Sequence, residues 1–221
     1  MGEVVGGGLP AQPADCLGES RAGPVLAGLG ELRASEDPQD QALIALAEAF
    51  TAAARRQPAA ALERARVVLD YAAVLGISTE SPRWAWPLAA RAAWDLADTQ
   101  ASAELIEVLD RYRPGELVPM LRAERDLARA RLTTLDPTPD VGHEAAGAAL
   151  ASAVAGLRRQ STPYHLAHGL LDHAAWLTAQ GDSQSAAAAV TEATAIAARL
   201  GCQPLLDRAA SLAPATAPLA D

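Results

Sequence analysis

Between residues 39 and 212, apolar residues recur every three or four positions and nowhere alternate with polar ones over the length of a strand. That spacing gathers them on one stripe of a helix. The residues between are mostly Ala, Leu, Arg, Glu and Gln, which are strong helix formers. The pattern predicts helices over 39–56, 59–75, 83–98, 101–112, 116–135, 143–160, 163–180, 184–200 and 204–212, with a short one over 24–33. Cap chemistry agrees. Asp37, Ser81 and Thr162 each precede a proline, as at a first helical turn, and Gly76, Gly115, Gly181 and Gly201 stand where helices should stop. Pro87 and Pro119 read as first-turn prolines, whose missing N–H does no harm there. Asp136-Pro137-Thr138-Pro139-Asp140 is the stiffest break and the candidate hinge.

The predicted helices pair, and the pairs repeat. Trp94 and Trp176 hold the same place near the ends of two helices, 82 residues apart. Ala61, Ala103, Ala145 and Ala187 begin successive second helices, 42 residues apart. Gly76 and Gly201 close two second helices 125 apart, close to three periods. A two-helix unit of about 42 residues is the mark of an α-solenoid. One hairpin cannot bury its apolar face alone, so neighbours stack, and alanine at the contacts lets helix axes approach to about 8 Å. The expected fold is an all-α, tetratricopeptide-like superhelix of about four hairpins plus a terminal helix, spanning 24–213. An irregular α-bundle is the alternative. Residues 1–23, rich in Gly and Pro and without periodicity, read as disordered or loosely attached, and 214–221 as a flexible tail.

Composition narrows the chemistry. The chain of 221 residues is 50% hydrophobic but 4% aromatic, with a single Phe, so Leu and Ala must build the core. All 18 basic residues are Arg. Without Lys there is no phosphate-binding-loop lysine, kinase lysine or Schiff-base lysine, which excludes Walker-type ATP hydrolysis, protein-kinase and pyridoxal-phosphate chemistry for this chain. A net charge of −9 argues against nucleic acid. Cys16 and Cys202 lie far apart, which fits a reducing compartment. The first residues lack a basic region and position 6 is Gly, so neither a signal peptide nor a myristoylation signal is read. No apolar run reaches the about 18 residues of a membrane span. The expectation is a soluble cytoplasmic protein with no cofactor.

Four stretches carry a resemblance: Pro163-Tyr164-His165-Leu166-Ala167-His168, Gln180-Gly181-Asp182, Ala195-Ile196-Ala197-Ala198-Arg199-Leu200-Gly201, and Pro204-Leu205-Leu206-Asp207-Arg208-Ala209. Together they resemble the C-terminal end of large actinobacterial ATPases and LuxR-type activators with tetratricopeptide-like repeats, and of related nucleotide-cyclase-associated proteins. The resemblance covers the C-terminal third, and the remainder only as a repeat pattern. It implies a place in signal-responsive transcription regulation or ATPase control. The chain departs from that family in having no phosphate-binding loop and no helix-turn-helix after the array. It therefore reads as the sensor or scaffold part alone, with the output domain elsewhere.

Arg122, Arg125 and Arg129 share a helix face, with Arg131, Arg111 and Arg113 close in sequence. Such a stripe could line a concave groove and fork onto carboxylates or phosphates; the alternative is pairing with Glu116, Glu124 and Asp126. His165, His168 and Asp172 also share a face and could hold Zn²⁺ or Fe²⁺, but no fourth ligand is visible, and an exposed polar face explains them, so no metal is assigned. Trp84 and Trp86 could form an aromatic wall for a ligand but read as packing under residues 77–82, and Trp94, Trp176 and Phe50 read as repeat core. Gly6-Gly7-Gly8 lacks the Lys of a phosphate loop, no GxSxG is present, and Cys202 follows a helix C-terminus, which disfavours a thiolate. No catalytic residue is assigned.

These readings converge on a non-catalytic interaction and regulatory module that offers its inner helices to a protein or peptide, such as an ATPase or a DNA-binding output domain. Rival readings are a small-molecule effector domain using the same groove, an enzyme of unrecognised type, and a gene fragment.

Overall fold

The computed structural model describes residues 32–113, 115–135 and 142–213. The loosely attached N-terminal segment, the 136–140 hinge, the C-terminal tail and most of the short helix expected over 24–33 lie outside the described residues. After a 3₁₀ turn at Leu32–Ala34 come α1 (Pro38–Ala54), α2 (Pro58–Asp70), α3 (Ala72–Leu75), α4 (Glu80–Asp95), α5 (Thr99–Asp110), α6 (Pro119–Leu135), α7 (His143–Gln160), α8 (Pro163–Ala179), α9 (Ser183–Leu200) and α10 (Gln203–Leu212). The described residues contain no strand, and the fold class is all-α.

Caps explain most of the boundaries. Asp37 accepts from the amide of Gln39 at 2.7 Å, Asp98 from Ala101 at 2.8 Å and Asp182 from Ser185 at 3.0 Å, each satisfying an orphan donor of a first turn. Two expectations need correction. The helix expected over 59–75 breaks at Tyr71 into α2 and α3. α4 starts earlier than expected, with Thr79 as its N-cap. Ser81 therefore lies inside the helix, and Pro87 sits two turns in rather than in the first turn. There it leaves the Arg83 carbonyl without its helical donor.

The repeat is written in the turns. Arg56, Ala97 and Gly181 all have positive φ, at 55°, 54° and 82°. Each lies between the two helices of a hairpin, about one period, then two, apart. At each, the next amide reaches back to the last turn: Gln57 to Ala52 O, Asp98 to Ala93 O and Asp182 to Leu177 O. This is the Schellman closure of a helix end. Only Gly adopts it without steric cost, so Arg56 and Ala97 are held there by the packing of the hairpins they join.

α1/α2, α4/α5, α6/α7 and α8/α9 are antiparallel hairpins, and α10 follows as a single helix. Each first helix packs on its own partner and on the first helix of the next hairpin, giving a continuous row α1, α4, α6, α8, α10. Each second helix also touches the next first helix. This is the arrangement expected of stacked hairpins. Trp86 is fully buried, and its indole N–H donates to Leu105 O on α5 at 2.8 Å, not under residues 77–82 as expected. Trp176 lies over Gly147 on α7, where a Cβ would come within 2.3 Å of the ring.

Candidate functional site

Tyr164, His165, His168 and Asp172 fall on one face of α8 at helical spacing. Thr162 caps this helix and accepts from the His165 amide at 3.5 Å. Ala167, Leu170, Leu171 and Ala174 fill the other face, in one apolar cluster with residues of α9 and α10. The polar face is consequently turned onto α6, α4 and α10. This corrects the expectation of an exposed face: His165 is 3% and Asp172 6% exposed.

A buried polar face must be paired, and among the described residues it is, except at Nε2 of His165 and Nε2 of His168. His165 Nδ1 lies 2.7 Å from Glu124 Oε1 on α6. Arg131 Nε, two turns on along α6, donates to Asp172 Oδ2 at 2.8 Å, and a second Arg131 nitrogen makes an even closer contact. Arg208 on α10 donates to Asp172 Oδ1 at 2.5 Å and to His168 Nδ1 at 3.3 Å. Arg91 on α4 donates to the Tyr164 hydroxyl at 3.2 Å. Aromatic rings close over these charges: Trp84 stacks on His165 at 5.7 Å, and the Arg131 guanidinium lies 5.6 Å from the Trp94 ring.

Three of these pairs share one sequence separation. Glu124 and His165 are 41 apart, Arg131 and Asp172 are 41 apart, and His168 and Arg208 are 40 apart. That is the repeat period. Position i of one inner helix therefore faces about i+41 of the next, and a ladder of paired polar and charged groups runs across α6, α8 and α10.

The electrostatics follow. Burial would raise the Asp172 carboxyl, but the guanidiniums of Arg131 and Arg208 outweigh it and hold it below the usual range. Glu124 behaves likewise: burial works against its charge, and the His165 ring bonded to it prevails. His168 is pushed well below the ordinary imidazole range by burial first, then by Arg91, Arg208 and Arg131. It is a neutral ring. Because a guanidinium only donates, Arg208 fixes Nδ1 as the acceptor and puts the proton on Nε2. That N–H has no partner among the described residues.

Beside the ladder a cavity of about 470 Å³ opens between the α1–α2 turn, α4, α8 and α10. Arg56 and Asp207, joined at 2.9 Å, form one wall and link the first hairpin to the last helix. Ala61, Leu88, Ala92 and Pro204 supply an apolar lining, and Arg91, Asp95, His168 and Arg208 the polar one. Burial of its surroundings raises the Asp95 carboxyl above its usual range despite nearby Arg91, Arg208 and Arg131.

Arg122, Arg125 and Arg129 are not part of this site. They lie on the side of α6 away from Glu124 and Arg131. Arg125 and Arg129 both bond Asp110 at the end of α5, at 3.2 and 2.5 Å, and both approach Asp126 at 3.8 Å. For Arg125 and Arg129 the structure shows the pairing alternative, with Asp110 and Asp126 as partners, while the side of α6 that meets α8 carries Glu124 and Arg131. Of the residues considered for a metal, His165 bonds Glu124, while His168 and Asp172 share Arg208. No group of three or more potential ligands is placed to hold an ion among the described residues. Arg91, Asp95, Glu124 and Arg208 are not singled out as site residues by the sequence, and Trp84, a candidate aromatic wall there, stacks on His165 here. The signal that finds Glu124 and Arg131 is charge complementarity one period away.

No protein-family model matches the chain, and no curated protein matches it. Among solved structures, the crystal structure of BtubC (BKLC) from P. vanneervenii is similar with a TM-score of 0.48 and 20% identity, over 82% of this chain and 72% of that one. A likeness of that degree says nothing about function. Among the described residues no helix is long and apolar enough to cross a membrane.

Proposed function

We propose that the chain is a non-catalytic regulatory module that binds through the inner row of helices. The observation that carries this reading is the row itself. α6, α8 and α10 are clamped by a buried ladder of polar and charged pairs, α4 joins them through Arg91 and the Tyr164 hydroxyl, and a cavity opens beside it at the junction of the first hairpin and the last helix. Helices held at fixed spacing beside a cavity with a few convergent polar groups suit recognition. Contacts drawn from both ends of the array give a bound partner leverage on its curvature. The resemblance of the C-terminal third to bacterial regulators supports a place in signal-responsive transcription regulation or ATPase control, with a protein partner that carries the output.

Co-expression with ATPase or DNA-binding output proteins encoded beside it tests this. The reading expects a complex that co-elutes on size exclusion. It should be abolished by Asp95→Arg on the inner side and unaffected by Arg158→Glu, which breaks an exposed pair with Glu192 between α7 and α9. A complex insensitive to Asp95→Arg, or catalytic turnover lost with His168→Ala, would overturn it.

A further inference from the structure

We propose that the cavity walled by Arg56 and Asp207 is a binding site for a small monocarboxylate with a compact apolar body. This goes beyond the partner-binding reading and stands or falls separately. Three observations converge on it. The first is His168: 9% exposed, lining the cavity, and carrying an Nε2–H with no acceptor. A buried donor left unpaired is costly, and a ligand oxygen would satisfy it. The second is the charge of the lining. Arg56, Arg91 and Arg208 face Asp95 and Asp207, and the Asp172 carboxylate bonded to Arg208 is shared with Arg131, so the guanidiniums outnumber the carboxylates by one positive charge. A single carboxylate balances it, whereas a dianionic phosphate overshoots. The third is the apolar wall of Ala61, Leu88, Ala92 and Pro204, against which a short aliphatic body packs, with the exposed Gln57 and Ser211 also in the lining. At about 470 Å³ the cavity lies in the range of small-molecule sites. The Arg56–Asp207 bridge closes its side, which favours a compact ligand over an extended chain.

The geometry assigns roles. His168 Nε2–H and a guanidinium of Arg91 or Arg208 hold the two carboxylate oxygens, in the charge-assisted manner that fixes orientation. The aliphatic tail lies against Ala61 and Leu88. Arg208 also bonds Asp172, so occupancy is felt directly by the charge ladder.

The probe is sodium hexanoate, with hexanamide and inorganic phosphate as controls, titrated into the full chain. Binding is read by thermal shift and by the histidine side-chain NMR resonances. Hexanoate should bind with a Kd of about 10 µM to 1 mM, within reach of so small a ligand, and should move the His168 Nε2–H resonance. Hexanamide should bind at least about tenfold more weakly, the weight of a charge-assisted bond, and phosphate should leave that resonance in place. His168→Phe should cost about tenfold or more in Kd. Ser211→Trp, a rim substitution at an exposed position that spares the core, should block hexanoate by filling the mouth. Failure of hexanoate to move His168, equal binding of phosphate, or binding that survives Ser211→Trp would each overturn the proposal. None of these results touches the co-elution test, so a failed ligand and a failed partner reading remain distinguishable.

Discussion

Removing the Asp172 carboxylate while keeping a side chain of similar size, as Asp172→Leu, should destabilise the fold by about 3–5 kcal/mol. Asp172 is held by two guanidiniums, and the Arg131 side chain is 5% exposed against 31% for Arg208. Without Asp172, Arg208 can turn toward water, but Arg131 cannot, and its charge stays buried against the Trp94 face without the carboxylate it bonds. Breaking a buried pair from one side costs about 3–5 kcal/mol for that reason, a large share of the about 5–15 kcal/mol that holds a domain together. Arg131→Met leaves Asp172 bonded to Arg208 at 2.5 Å and should cost less, about 1–3 kcal/mol for a charge-assisted bond. The double variant removes both buried charges, and apolar replacements of buried pairs are often near neutral. It should therefore be more stable than Asp172→Leu alone. Urea unfolding reads all three as shifts of midpoint at constant slope. A cost below about 1 kcal/mol for Asp172→Leu, or a double variant that loses the sum of the singles, would refute the ladder as a buried, coupled unit.

Acid should destabilise the fold in two stages. The His168 ring takes a proton near 6.5 when unfolded but is held well below that when folded, so stability falls as pH drops below about 6.5, by up to about 1.4 kcal/mol per unit per proton. Asp172 and Glu124, both depressed in the fold, add a second loss as pH falls below their unfolded values and through their lower folded ones. Asp95, raised in the fold, opposes this slightly at low pH; a denaturation series from pH 8 to 4 that shows stability rising on acidification would contradict these signs. Ala97→Gly should stabilise by about 0.5–1 kcal/mol, because it removes left-handed strain at φ 54° at some entropic cost in the unfolded chain. A lowered melting temperature would contradict it. Arg125→Ala with Arg129→Ala should cost no more than about 1 kcal/mol per pair, since their partner Asp110 is 39% exposed; a calorimetric loss far above that would make the stripe part of the scaffold's core.

The helices were legible because their period, caps and breakers all lie within a few residues of one another. α7, expected over 143–160, forms over His143–Gln160, and α9 begins one residue before its expected start. The break at Tyr71 and the early start of α4 were not, because packing in the hairpins decides them and propensity does not. The site was half legible. His165, His168 and Asp172 were seen to share a face, yet helical spacing cannot say whether a face meets water or a neighbour. The arginine stripe drew attention because its charges cluster in sequence. Such clusters mark a face rich in one sign, and here that face meets Asp110. Glu124 and Arg131, each alone among apolar neighbours on the inner side, are the residues whose burial demands a partner, and the partner lies one period on. Comparing charges across the repeat, rather than along one helix, recovers the ladder.

Hydrogen exchange on the complex with a co-eluting output protein tests the central claim most directly. If the inner row is the recognition surface, amides of the Arg56 turn, α4, α8 and α10 gain protection when the partner binds. Protection confined to α2, α5, α7 and α9, with the inner row exchanging as in the free chain, would contradict the account.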